Sequence, residues 1–131
     1  MRHLKIKILS NEKLTDSFYK MRLESPYLAA NTRPGQFLEV RCSDDIIPLL
    51  RKPFSCHKVT KNGIEILYEV IGTGTEILSS KKKGGDLDVI GPLGNGFDIE
   101  CSTIHERRLS AEARSAKADY AALIICVTTL L

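Results

Sequence analysis

Tryptophan is missing from this chain of 131 residues, and aromatic residues altogether make up only 6% of it. With 43% apolar and 27% charged residues the composition is still that of an ordinary soluble globular domain, far from the disordered, collagen-like and disulfide-rich classes. Long apolar runs are also wanting. The longest, from Tyr120 to Leu131, is shorter than the about 20 residues a bilayer core requires, which argues against a membrane anchor. The first residues, Met1 to Ile8, alternate charged and apolar side chains. They lack the continuous apolar stretch of a signal peptide and read as a strand, so the chain is expected to remain in the cytoplasm. Charge of one sign is scarce: the net value is +3, and the 19 basic residues are scattered apart from Lys81-Lys82-Lys83, which leaves no basic face for nucleic acid. Paired cysteines are absent too. Cys42, Cys56, Cys101 and Cys126 have no C-x-x-C spacing and read as reduced thiols, with neither zinc nor an iron-sulfur cluster implied.

What is present is a series of short strand-like segments within a length that suits one domain. Alternation and β-branched runs predict strands near Leu4 to Leu9, Ser17 to Leu23, Gln36 to Arg41, Phe54 to Val59, Ile64 to Val70 and Asp86 to Ile90. Lys61-Asn62-Gly63 places Asn-Gly, two residues tolerant of positive φ, between apolar runs, so Phe54 to Val70 is expected to be an antiparallel hairpin. Arg33-Pro34-Gly35 marks a turn into the third strand. Residues Thr75 to Lys83 read as one short helix that ends in a lysine run and Gly84-Gly85. Six antiparallel strands with a single short helix predict an all-β domain, a small closed or nearly closed barrel, over residues 1–98. Residues 99–131 form an atypical tail: residues 110–117 favour helix without an apolar stripe, and Leu123 to Val127 looks like a buried strand.

Three constellations carry chemistry. In Pro48-Leu49-Leu50-Arg51-Lys52-Pro53-Phe54-Ser55, two cations precede a proline, an aromatic and a hydroxyl on an entering strand. A cation suits pyrophosphate, the aromatic a flavin ring face and the serine a flavin edge atom. The ordinary alternative is a core phenylalanine behind a solvated pair of cations. In Tyr68-Glu69-Val70-Ile71-Gly72-Thr73-Gly74-Thr75-Glu76, a strand runs through glycines into a helix start whose free N–H groups suit phosphate. An ordinary capped helix with Thr75 as N-cap explains the same residues. The pattern is not the dinucleotide-binding G-x-G-x-x-G, since Ile77 stands where the third glycine belongs. In Asp88-Val89-Ile90-Gly91-Pro92-Leu93-Gly94-Asn95-Gly96-Phe97, glycines and a proline make a stiffened loop that could line a cleft or be simply a turn.

In combination and in this order, the three motifs resemble the flavin domain of the ferredoxin-reductase superfamily over about Lys5 to Asp98. Pro48-Leu49-Leu50 and Gly91 to Phe97 are most similar to the electron-transfer subunits that serve a dihydroorotate dehydrogenase catalytic subunit. The resemblance implies a six-stranded antiparallel Greek-key barrel that binds FAD. Arg51, Lys52, Pro53, Phe54 and Ser55 would hold the flavin and its pyrophosphate, Tyr68, Glu69 and Val70 would border it, and Gly74 and Thr75 would bind phosphate. The usual arginine of that motif falls on Lys52, which loses bidentate clamping unless Arg51 substitutes.

The same resemblance implies electron passage between a [2Fe-2S] cluster and NAD, coupled to dihydroorotate oxidation in a catalytic subunit. The family's nucleotide-binding lobe and cluster-binding cysteine segment are not recognisable after Asp98. A fragment, with a truncated or frameshifted tail, is therefore expected, with no cluster, weak or absent NAD binding and no turnover alone. Two alternatives stay open: the flavin domain of another reductase of the superfamily, and a barrel that binds no flavin. His3, His57, His105 and Asp44-Asp45 carry no metal-ligand or acid-base pattern of their own.

Overall fold

The computed structural model of the chain describes residues 1–46 and 48–97. The tail read at residues 99–131, with Cys101, Cys126 and the apolar run at 123–127, lies outside the described residues, as does the domain boundary expected at Asp98. Six strands form in chain order: β1 (Arg2–Lys13), β2 (Phe18–Glu24), β3 (Phe37–Arg41), β4 (Lys52–Thr60), β5 (Gly63–Glu69) and β6 (Asp86–Leu93). Two helices interrupt them, α1 (Pro26–Asn31) and α2 (Thr73–Ser80).

Period-two alternation explains why these segments are strands. Ile6 and Ile8, Met21 and Leu23, Leu38 and Val40, Ile64, Ile66 and Tyr68, and Leu87 and Val89 all point inward and are buried. Lys5, Lys7, Arg22 and Asp86 project from the opposite faces. The strands close into an antiparallel barrel in the order β1-β2-β5-β4-β3-β6, which removes free sheet edges. The expected barrel is therefore present.

The one addition is the second helix. In this order β2 and β3 are not neighbours, nor are β5 and β6, so each of those connections must cross an end of the barrel. Both helices occur on these crossovers. They follow antiparallel neighbours, β2 and β5, and therefore cover opposite ends, where Leu28 and Leu78 are fully buried. Helix α1 has only six residues, too few for a periodic stripe, but its start is encoded. The Ser25 hydroxyl accepts a hydrogen bond from the Leu28 N–H at 3.3 Å, and Pro26 occupies the first helical position.

The hairpin expected at Asn62-Gly63 joins β4 to β5, with Thr60 opposite Gly63. The glycine has a different role from the one its sequence predicts. Lys61 and Asn62 make the turn, while Gly63 is the first residue of β5 and does not adopt a left-handed φ. Its need is close approach: a Cβ there would lie 1.9 Å from the Leu23 carbonyl oxygen on β2. Substituting Gly63→Ala must push β2 and β5 apart at their Glu24–Gly63 pair. The expected loss is about 2 kcal/mol of unfolding free energy or more, read from the urea midpoint; an unchanged midpoint would show that the barrel absorbs the methyl group there.

Candidate functional site

Antiparallel pairing of β4 with β5 brings the start of β4 alongside the residues that leave β5. A cleft of about 550 Å³ opens between them. One wall consists of Pro48, Leu50, Arg51, Lys52, Pro53 and Phe54, the other of residues 71–75 at the head of α2. Two segments about twenty residues apart, each ambiguous as sequence, thus become the two sides of one site.

On the α2 side the helix begins after Gly72, so Gly72 and not Thr75 is the N-cap residue. Thr75 instead ties the turn together. Its hydroxyl accepts from the N–H groups of Ile71 at 3.0 Å and Gly72 at 3.2 Å, and donates to the Gly72 carbonyl at 2.9 Å. With that hydroxyl occupied, what the helix start offers a ligand is backbone: the N–H groups of Thr73, Gly74 and Thr75 precede the first intrahelical bond, which is made by Glu76 to Gly72 at 2.9 Å. The glycines here are not demanded by the fold. Neither has a left-handed φ; a Cβ on Gly72 would meet nothing within 4 Å, and one on Gly74 would meet only ordinary contacts, 3.5 Å from Lys52 Cε and from Pro48 Cγ. Their missing side chains keep the helix start bare toward the cleft.

The two cations on the β4 side differ. Arg51 is tied to the barrel wall. Its Nη2 lies 3.0 Å from the Asp88 carboxylate and its Nη1 donates to the Asp88 carbonyl at 3.3 Å. His3 meets the same carboxylate at 2.5 Å. Partial burial pushes the Asp88 carboxyl up, but hydrogen bonds from His3 and Arg51 and their charges outweigh this and hold it below the usual carboxylate range. Arg51 is thus neutralised at the edge of the cleft and does not supply the free clamp that substitution for Lys52 would require. Lys52 remains exposed, with its side chain over Gly74 at the positive end of the α2 dipole. Cation and helix start repel each other, and an anion between them satisfies both.

The other residues singled out in the sequence occupy different places. Phe54 lines the cleft but is 4% exposed, with its ring edge-on to Tyr68 at 5.8 Å, so it is a core residue with one border on the site. Ser55 alternates with it and is exposed on the outer face of β4. Ser55, Tyr68, Glu69 and Val70 are not among the cleft-lining residues. Tyr68 is buried, stacked on Tyr19 at 5.7 Å, and donates a hydrogen bond to Asn11 Oδ1 at 2.9 Å; burial pushes its hydroxyl up to about 12. Glu69 is exposed, 3.5 Å from the Ser17 hydroxyl. Val70 packs against the core. Sequence reading missed Asp88 as partner of Arg51 and Asn11 as partner of Tyr68, because each pair joins distant strands and leaves no local pattern. Among the described residues no group of His, Cys, Asp and Glu is arranged to hold a metal ion, and no helix is long and apolar enough to cross a membrane.

A closed six-stranded antiparallel barrel with this cleft has the architecture of the flavin-binding domain of ferredoxin-reductase-type oxidoreductases. Solved structures bear this out. An NADH-dependent reduced ferredoxin-NADP oxidoreductase superposes with a TM-score of 0.64 at 28% identity, over 71% of this chain and 34% of that one. Ferredoxin-NADP+ reductase from Plasmodium falciparum shares the fold at a TM-score of 0.62, with 12% identity over 76% of this chain and 41% of that one.

Within that class the chain is a homologue of the electron transfer subunits of dihydroorotate dehydrogenase B. It is 41% identical over 101 residues to the subunit of Bacillus velezensis, covering 76% of this chain and 40% of that protein. To the subunit of Desulforamulus reducens it is 41% identical over 95 residues, 71% of this chain and 36% of that protein. To that of Clostridium acetobutylicum it is 40% identical over 94 residues, 72% of this chain and 37% of that protein. The chain therefore spans about two fifths of the length of the curated relatives it matches. No family model matches it.

The Asp88 cluster makes a prediction about acid stability. A carboxyl with a depressed folded pKa contributes stability that is complete above its unfolded pKa of about 3.9 and is lost as pH falls through the folded value. Wild type should therefore weaken as pH drops below about 4, whereas Asp88→Asn should be less stable at neutral pH and flatter across that acid range. Urea unfolding at a series of pH values measures both; parallel profiles would show that this carboxylate contributes none of the acid sensitivity.

Proposed function

We propose that the chain is the flavin-carrying barrel of a dihydroorotate dehydrogenase electron transfer subunit and that it binds FAD in the cleft between β4 and α2. The observation that carries this reading is the meeting of Lys52, the open N–H groups of Thr73, Gly74 and Thr75, and apolar walls from Pro48, Leu50, Phe54 and Ile71 in one cleft. A pyrophosphate matches the first two and a planar ring system matches the walls. Gly74 supports it further: packing does not require a glycine there, and the missing Cβ leaves backbone open to the cleft.

In this reading each residue has a separate task. Lys52 supplies a point charge to a phosphate oxygen, and the three N–H groups donate to the same anion. Thr75 keeps its own hydroxyl on the turn and so fixes the direction of those donors. Arg51 and Asp88 brace the wall between β4 and β6. Ser55, on the outer face of β4 beside Pro53, is available to a flavin edge, and Glu69 and Val70 flank the exit of β5. The bound flavin supplies redox chemistry that no side chain of the barrel possesses. Relayed onward, those electrons would pass from a dihydroorotate dehydrogenase catalytic subunit towards NAD; the homologues carry the name of electron transfer subunits of dihydroorotate dehydrogenase B (NAD(+)).

The direct test is the absorption spectrum of the purified chain after incubation with FAD and desalting. Retained flavin bands support the reading, and a folded, colourless protein overturns it. Two variants localise the site. Lys52→Ala should weaken FAD by about tenfold, as loss of a charged hydrogen bond does, and the wild-type affinity should fall with added salt more steeply than the variant's. Gly74→Ala should leave the urea midpoint unchanged or raise it, since alanine suits a helix better by roughly 0.5–1 kcal/mol, yet reduce FAD affinity. Affinity unchanged from wild type in both variants would move the phosphate away from α2.

A further inference from the structure

We propose that Asn11 on β1 is a positioning residue for the phosphate end of the cleft, aiming the α2 start at Lys52 by holding the helix from its opposite end. The inference rests on the flavin reading above. Its starting point is a side chain that lines no part of the cleft.

The Asn11 amide Nδ2 donates to three carbonyls at the end of α2: Leu78 at 3.0 Å, Ser79 at 3.3 Å and Lys81 at 2.9 Å. Carbonyls in the last turn of a helix have no intrahelical donors. The last turn of α2 carries no basic residue to serve them; besides Asn11, the Ser80 hydroxyl donates to the Ile77 carbonyl at 2.7 Å and the Lys81 N–H reaches the Leu78 carbonyl at 3.2 Å. One amide from β1 therefore gathers the C-terminal end of the helix.

The amide works only in one orientation, since Oδ1 turned toward those carbonyls would repel them. Tyr68 sets that orientation by donating its hydroxyl to Oδ1 at 2.9 Å. The Tyr68 hydroxyl, pushed up by burial to about 12, carries its proton and can donate throughout the neutral range. The tyrosine ring is itself fixed between Tyr19, stacked at 5.7 Å, and Phe54, edge-on at 5.8 Å. Phe54 lines the β4 wall of the cleft, and α2 provides the facing wall. Phe54, Tyr68, Asn11 and α2 thus form a continuous connection beneath the site that links its two walls. Helix α2 has eight residues, about 12 Å at 1.5 Å each, so a tilt permitted at its end displaces the N–H groups at its start. Buried Leu78 still docks the helix when the amide is altered, so the loss expected is of aim and not of fold.

The test compares FAD with riboflavin, which has the ring system but no phosphate, by fluorescence titration of wild type, Tyr68→Phe and Asn11→Asp. Tyr68→Phe frees the amide to turn, and Asn11→Asp sets a carboxylate against carbonyl oxygens. Both should weaken FAD by about tenfold and leave riboflavin unchanged. Equal weakening of both ligands would reduce Asn11 to a general stabiliser of the cleft, and no weakening of either would overturn the proposal. A ligand-free readout separates this outcome from failure of the flavin reading: the amide NMR shifts of Thr73, Gly74 and Thr75 should move in Tyr68→Phe. If those signals stay in place, the positioning role is wrong, whether or not wild type binds flavin.

Discussion

The pairing of β4 with β5 is the constraint from which the rest of the site follows. A turn of two residues, Lys61 and Asn62, sets where the two strands begin to pair; antiparallel geometry carries that choice as far as Lys58, and a register shift at His57 then places Cys56 opposite Ile66. At its far end the start of β4 meets the start of α2, so Lys52 of one segment faces the helix dipole of the other. Gly63 couples the hairpin to β2, since only a residue without Cβ lets the Leu23 carbonyl approach so closely. Barrel closure and cleft geometry therefore depend on the same hairpin.

Charge in the cleft is divided by burial and partnership. Arg51, with its side chain 21% exposed, meets a carboxylate from β6 and joins two strands of the wall, while Lys52 is exposed and meets no carboxylate among the described residues. Adjacent cations with the same formal charge thus do opposite work. Leaving Lys52 beside a helix start is electrostatically unfavourable in the free chain. Such a local conflict belongs at a functional site, because an incoming anion resolves it.

The glycines divide in the same way. Gly63 is required by the packing of the chain against itself, whereas packing would accept a side chain at Gly72, the N-cap of α2, and at Gly74, where the missing Cβ leaves backbone open to the cleft. Likewise Tyr68 and Asn11 are buried under the cleft, where they connect its walls. They show that a residue flanking a binding motif in sequence need not touch what the motif binds.

The barrel was legible in the sequence because period-two alternation records which face of each strand is wet, and inward residues on five of the strands repeat that record. The pieces of the site were legible as residue types: cations before Pro53 and Phe54, and glycines before a helix start. Helix α1 was not, since six residues are too few to show a period and only the crossover from β2 to β3 gives them a reason to be helical. The role of Gly63, the commitment of Arg51 to Asp88 and the hydrogen bonds of Asn11 were not legible either. By itself the sequence determined the strands, the turn positions and the ingredients of an anion site, all of which rest on local sterics and on burial. Which ingredients face one another was decided only by tertiary structure, because Arg51 and Asp88, or Asn11 and Tyr68, meet through strand order and barrel closure, and neither leaves a trace within a short stretch of chain.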